Sequence, residues 1–86
     1  MIERLKAPIS IFSFYDHKRK LFTPLVVIWE GRKYKVSKIG YHHTYRSGRV
    51  LHHVFSVATK NLYFRLVCNT ENFFWEVEEI SDGAVN

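Results

Sequence analysis

In three successive runs toward the C-terminal end, large apolar side chains return at every second residue. Leu51, Phe55 and Val57 share a parity with His53; Phe64 and Leu66 share one with Cys68; Phe73 and Trp75 share one with Val77. A period of two buries one face of an extended strand, whereas on a helix it would scatter the same residues around the axis. Turn-forming clusters at 16–20, 30–32, 47–48, 60–61, 69–72 and 81–83, together with Pro24, interrupt the chain at the spacing of hairpins. The runs between them are rich in Val, Ile, Phe, Tyr and Trp, which suit a pleated, half-buried surface. Six strands are expected, near residues 8–15, 22–30, 33–46, 49–59, 62–69 and 73–80. Residues 1–7 are expected to form an end with at most a helical turn stopped by Pro8, and residues 81–86 a second loose end.

The fold class that follows is all-β: a single antiparallel meander of five or six strongly bent strands, closing in part into a small barrel. At 86 residues the chain makes one domain. Gly40, inside the longest run, is expected to mark a bend or bulge, and Pro24 an edge or strand start. Glu76, Glu78 and Glu79 read as charges that keep the last strand from pairing with other molecules. The expected core is Val27, Trp29, Tyr34, Val36, Leu51, Phe55, Val57, Phe64, Leu66 and Trp75.

Composition narrows the function. The chain is 47% hydrophobic and 16% aromatic, enough apolar surface to offset the entropy of ordering. No apolar run approaches the roughly 20 residues that span a bilayer. A single cysteine and an N-terminus without an apolar leader point to a cytoplasmic protein. The net charge of +5 is unevenly spread. All 13 Lys and Arg lie at or before Arg65, against Glu3, Asp16 and Glu30, while five acids and no cation follow Leu66. A basic body with an acidic end fits contact with a polyanion, or with an acidic partner surface.

Counting across the two-residue turns at Ser47-Gly48 and Lys60-Asn61 sets His42 opposite His53, and His53 opposite Cys68. A three-residue second loop would move Cys68 opposite His52 instead. Imidazole and thiolate are zinc ligands, but the row lacks a fourth ligand and any C-x-x-C or H-E-x-x-H spacing. His in an amphipathic strand is usually a hydrogen-bonded ring, and a buried Cys a small apolar residue. No cofactor is implied. Glycine-rich phosphate loops, nucleophile elbows and dinucleotide fingerprints are absent, so no enzymatic chemistry is expected.

The opposite face of the same strands gathers Tyr41, His43, Tyr45, His52, Tyr63 and Arg65. Rings interleaved with cations can stack on bases while the cations meet phosphate. The candidate nucleic-acid contacts are therefore Tyr41, Tyr45 and Tyr63 for bases, and Arg32, Lys35, Arg46, Arg49 and Arg65 for phosphate, with His43 and His52 adding charge at acid pH. The same surface suits a protein-interaction or homodimerisation role, since Tyr and Arg anchor many interfaces.

The stretch from Pro24 to Ile39 carries the skeleton P-x4-W-x-G-R-x-Y-x-V-x-x-I in Trp29, Gly31, Arg32, Tyr34, Val36 and Ile39. It resembles a signature of short uncharacterised bacterial all-β proteins, and the likeness covers about residues 22 to 82. Related short proteins are encoded beside translesion DNA polymerases, so the resemblance implies a nucleic-acid role. After Ile39 the chain departs from that pattern, with Tyr41-His42-His43 in place of a Trp-centred segment. The motif also reads structurally: Gly31 allows a tight turn across which Trp29 and Tyr34 pair.

Overall fold

A computed structural model describes residues 1–83. The fold is all-β, as the alternation requires, but the described residues form eight strands in two antiparallel sheets and no closed barrel. The strands are β1 (Ile2–Pro8), β2 (Ser10–Asp16), β3 (Leu21–Trp29), β4 (Arg32–Lys35), β5 (Lys38–Ser47), β6 (Val50–Ala58), β7 (Tyr63–Asn69) and β8 (Phe74–Ser81). The larger sheet runs β1-β8-β7-β6-β5 and the smaller β2-β3-β4.

Three expectations need correction. The N-terminal segment is not a helical turn: Ile2–Pro8 is a strand that pairs with β8, its alternation hidden among charged residues. Of the expected loose C-terminal end, Ser81 closes β8 and residues 84–86 lie outside the described residues. The long run 33–46 is two strands, because the chain leaves the smaller sheet at 36–37 and enters the larger. Val36 N–H donates to Leu25 O at 2.9 Å and Ser37 N–H to Ala58 O at 2.8 Å, so the crossing is hydrogen-bonded on both sides. Pro24, expected at an edge or a strand start, lies inside β3 at a local edge. It is buried within β3, next to an extra residue, Leu25, opposite the Phe12/Ser13 step. β4 pairs with β3 only as far as Val26, so Pro24 lies where the strand has one neighbour and its missing N–H costs little.

Gly40 is the extra residue between Ile39 and Tyr41 in the β5–β6 ladder, the bulge its position implies. Further register shifts occur between Arg4 and Ala7 and between Arg65 and Leu66. Bulges strengthen twist, and these let the larger sheet coil over the smaller.

The two hairpins nearest the candidate site turn one residue away from the expected places. Glu30 (φ 49°) and Gly31 (φ 76°) both lie in the left-handed region, so they are the two turn residues, and Tyr34 faces Val27 rather than Trp29. In the next hairpin Gly48 (φ 62°) takes the first turn position, and Ser47 pairs with Val50. The β6–β7 register is the expected one, with His53 opposite Cys68.

The core lies between the sheets. Val27 comes from the smaller; Phe55, Val57, Phe64, Leu66 and Val77 come from the larger. Trp29, Tyr34, Val36 and Trp75 pack around this centre, and of the expected core only Leu51 stays outside the cluster. Edge-to-face contacts of Phe22 with Phe55 (5.7 Å between centroids) and of Tyr34 with Phe64 (5.2 Å) tie the layers together.

Candidate functional site

Pleating puts Tyr41, His43 and Tyr45 of β5 on the outer face of the larger sheet, opposite Ser56, Val54 and His52 of β6. Tyr63 and Arg65 of β7 join them, while Phe55 and Leu66 point inward. The rings associate in pairs. Tyr45 stacks on His52 at 4.7 Å, and Tyr41 tilts against His43 at 5.1 Å. Tyr63 lies against Gly83, where a side-chain Cβ would come within 2.9 Å of its ring. Val54 and Val67, which pair with each other on this same face, are buried among these neighbours. The Nδ1 atoms of His43 and His52 are buried there without a hydrogen-bond partner.

The charge on this face differs from the expected excess of cations. On β8, Glu76 and Glu79 are in register with Val67 and Arg65 of β7, and Glu78 is the extra residue at the register shift. Arg65 Nε is 3.4 Å from Glu78 Oε1 and its Nη1 is 3.9 Å from Glu79 Oε2, so its charge is already matched. Partial burial, then the carboxylates of Glu78 and Glu76, push the Tyr45 hydroxyl above its usual pKa, with Arg65 opposing. A groove of about 300 Å³ runs over this face past Lys38, Ser56, Tyr63, Arg65 and Glu79.

The eight proposed contacts therefore do not share one surface. Tyr41, Tyr45, Tyr63 and Arg65 lie together. Arg46 and Arg49 sit at the tip of the β5–β6 hairpin, where Arg46 Nη1 donates to Arg49 O at 3.5 Å. Arg32 and Lys35 belong to β4, in the other sheet.

On the inner side, the shifted hairpin sets His42 opposite Phe55 and Thr44 opposite His53. The two imidazoles still meet diagonally, with 2.8 Å between His42 Nε2 and His53 Nδ1. Cys68 is fully buried, and burial pushes its thiol up to about 11, which disfavours the thiolate that metal or nucleophilic chemistry needs. Among the described residues no group of three His, Cys, Asp or Glu side chains is placed to hold a metal ion.

A second aromatic and basic surface lies on the smaller sheet. Phe12 of β2 aligns with Val26 of β3 and Lys35 of β4, and Ile28 with Lys33, all on its outer face. Phe12 and Phe14 are each 54% exposed, and Lys33 Nζ is 5.9 Å from the Phe12 ring centroid, within cation–π reach. Lys18, Arg19 and Lys20 form the turn at one end. Acids stand only at the two ends: Asp16, which accepts the Lys18 N–H at 2.9 Å, and Glu30 in the opposite turn. Counting across the Glu30-Gly31 turn would have found the Lys33 and Lys35 row; nothing in the order of residues marks Phe12 and Phe14 as wet.

Between the β2 edge and the β7–β8 turn an apolar cleft of about 710 Å³ opens, lined by Ile11, Ser13, Tyr15, Phe22, Phe73 and Trp75. No helix among the described residues is long and apolar enough to cross a membrane. No protein-family model, curated protein or solved structure matches the chain.

Proposed function

We propose that the protein is a non-enzymatic module that binds nucleic acid, preferring single strands, on the outer face of the smaller sheet. The observation that carries this reading is the pair of exposed rings, Phe12 and Phe14, set among Lys33, Lys35 and the Lys18, Arg19, Lys20 turn. Exposed rings stack on any base, and flanking cations meet the phosphates that follow it. The tyrosine face fits a polyanion less well, because Glu76, Glu78 and Glu79 accompany it and Arg65 is paired. Titration of a labelled single-stranded oligonucleotide at two salt concentrations tests the reading. With about five phosphates neutralised, log affinity should fall with log salt at a slope of about −3.5. Absence of binding at low salt removes the proposal.

A second reading, a protein-interaction or homodimerisation module, is favoured by Phe73, 68% exposed at the cleft, and its neighbour Phe74, 70% exposed. Large rings left in water next to an apolar cleft mark a surface that another chain can cover.

A further inference from the structure

Among the described residues four strand edges are open: β1 and β5 in the larger sheet, β2 and β4 in the smaller. An open edge is a template for another strand, and proteins guard such edges with charge, proline or bulges. Three of the four are guarded. β4 reads Arg-Lys-Tyr-Lys, so two copies would repel; β1 carries Glu3, Arg4, Lys6 and Pro8 with a register shift; β5 has Lys38, the Gly40 bulge and Arg46. β2 reads Ser-Ile-Phe-Ser-Phe-Tyr before its single charge at Asp16, and the register shift beside Ser13 places its extra residue, Leu25, on β3 and not on the β2 edge.

We propose that β2 pairs antiparallel with β2 of a second copy, about a two-fold axis at Ser13, to make a six-stranded sheet shared by a homodimer. In that register all seven residues of the strand are used. Ser13 faces itself, Phe12 faces Phe14, Ile11 faces Tyr15 and Ser10 faces Asp16. Directly opposed residues in an antiparallel pair share a face, so the phenylalanines stay together on the outside and Ile11 and Tyr15 on the inside. The inner side is where the cleft lies, so the second copy's Tyr15 and Ile11 extend over Phe22, Phe73 and Trp75. Phe73 holds a φ of 59°, strained for an aromatic residue, and this conformation presents its ring at the cleft mouth.

Charge selects the second copy as occupant. Beyond Asp16 the chain turns through Lys18 and Arg19, and in this register that turn arrives at the Pro8 end of the other molecule. There Pro8 is in register with Glu76, and the two line a neighbouring hollow together with Ser10. The two-fold axis repeats the complement on the other side. The dimer goes beyond the nucleic-acid reading and does not rest on it, although it would join two Phe12/Phe14 faces into one continuous surface.

Sedimentation of the protein alone, without oligonucleotide, over about a hundredfold range of concentration tests the proposal. The expected mass rises from 10.3 kDa toward twice that value. Ser13→Lys, which sets two ammonium groups face to face on the axis, should return the protein to monomer. Ser13→Cys should form an intermolecular disulfide on oxidation, since opposed Cα atoms in such a pair lie about 4.5–5.5 Å apart, within disulfide reach. A monomer at every concentration overturns the proposal, including one that takes up a foreign peptide at this edge. So does a dimer that survives Ser13→Lys while Ser13→Cys fails to cross-link. A monomer that still binds oligonucleotide would remove only the dimer; a dimer that binds none would remove only the nucleic-acid reading.

Discussion

His42 and His53 share a short contact across the β5–β6 pair: Nε2 of one ring is 2.8 Å from Nδ1 of the other, and the planes are nearly parallel at 12°. Only one of those nitrogens can carry the proton between them, so the contact needs at least one neutral imidazole. Partial burial lowers both pKa values below 6.5, with His43 adding to the effect at His42 and His42 adding to it at His53. In acid the unfolded chain therefore binds more protons than the folded one. The contribution is intact above the unfolded value of 6.5 and is lost as pH falls through the folded values. Thermal melts should show a lower midpoint at about pH 5.5 than at about pH 7.5, and His42→Gln should shrink that difference. A midpoint indifferent to acidification would contradict the account.

Cys68 should be slow to react. With its thiol at about 11, about one molecule in a thousand is thiolate at about pH 8, and the sulfur is out of contact with water. Iodoacetamide labelling of the folded protein should run at least about a hundredfold slower than in denaturant. Comparable rates would mean that β7 opens freely.

Leu66 sits at 0% exposure opposite Phe55 and Val77, in the middle of the larger sheet. Leu66→Ala should cost about 2–5 kcal/mol by loss of transfer energy and an unfilled cavity. For a domain whose whole stability is about 5–10 kcal/mol, that is enough to show in urea as a large drop in midpoint.

Glu30 offers a gain. It holds a φ of 49° at the first position of a turn whose second residue is Gly31, a place where Asn is favoured. Glu30→Asn should stabilise the protein by about 0.5–1 kcal/mol, read as a raised urea midpoint at unchanged slope. A loss instead would mean that Glu30 makes a contact worth more than the strain.

The two aromatic faces can be separated by substitution. Phe12→Ala and Phe14→Ala should each weaken oligonucleotide binding by about 1–3 kcal/mol, the range for a ring on which a base stacks. Arg65→Gln and Tyr45→Ala should change it little. The opposite ranking in the same titration would place the contact on the tyrosine face.

The parts of the fold legible from sequence are those where the two sides of a strand differ sharply in polarity. Phe55 and Leu66 against Ser56 and Arg65 leave one arrangement open, and the inward placement of Phe64 and Trp75 follows from the same contrast. β1 is hard to read because only Leu5 and Ala7 mark its inner side among Glu3, Arg4 and Lys6. The break between β4 and β5 has no glycine or proline; the chain bends at Val36 and Ser37 because hydrogen bonds to Leu25 and Ala58 hold it there. Both shifted turns place glycine by its positive φ, which dipeptide counting does not weigh. The Phe12 surface stays hidden because Ile11, Phe12, Phe14 and Tyr15 are large and apolar on both sides of β2. Three-dimensional neighbours, Val27 beneath and Lys35 alongside, decide which side is wet.

The smaller sheet is strung between the two outermost strands of the larger one, with Ile9 as the whole link at one end and residues 36 and 37 at the other. Links this short leave no slack for the layers to slide or hinge separately. Whatever grips Phe12 and Lys35 therefore tugs on both flanks of the opposite layer at once. Amide protons in β3 and β7 should accordingly exchange through the same whole-molecule opening.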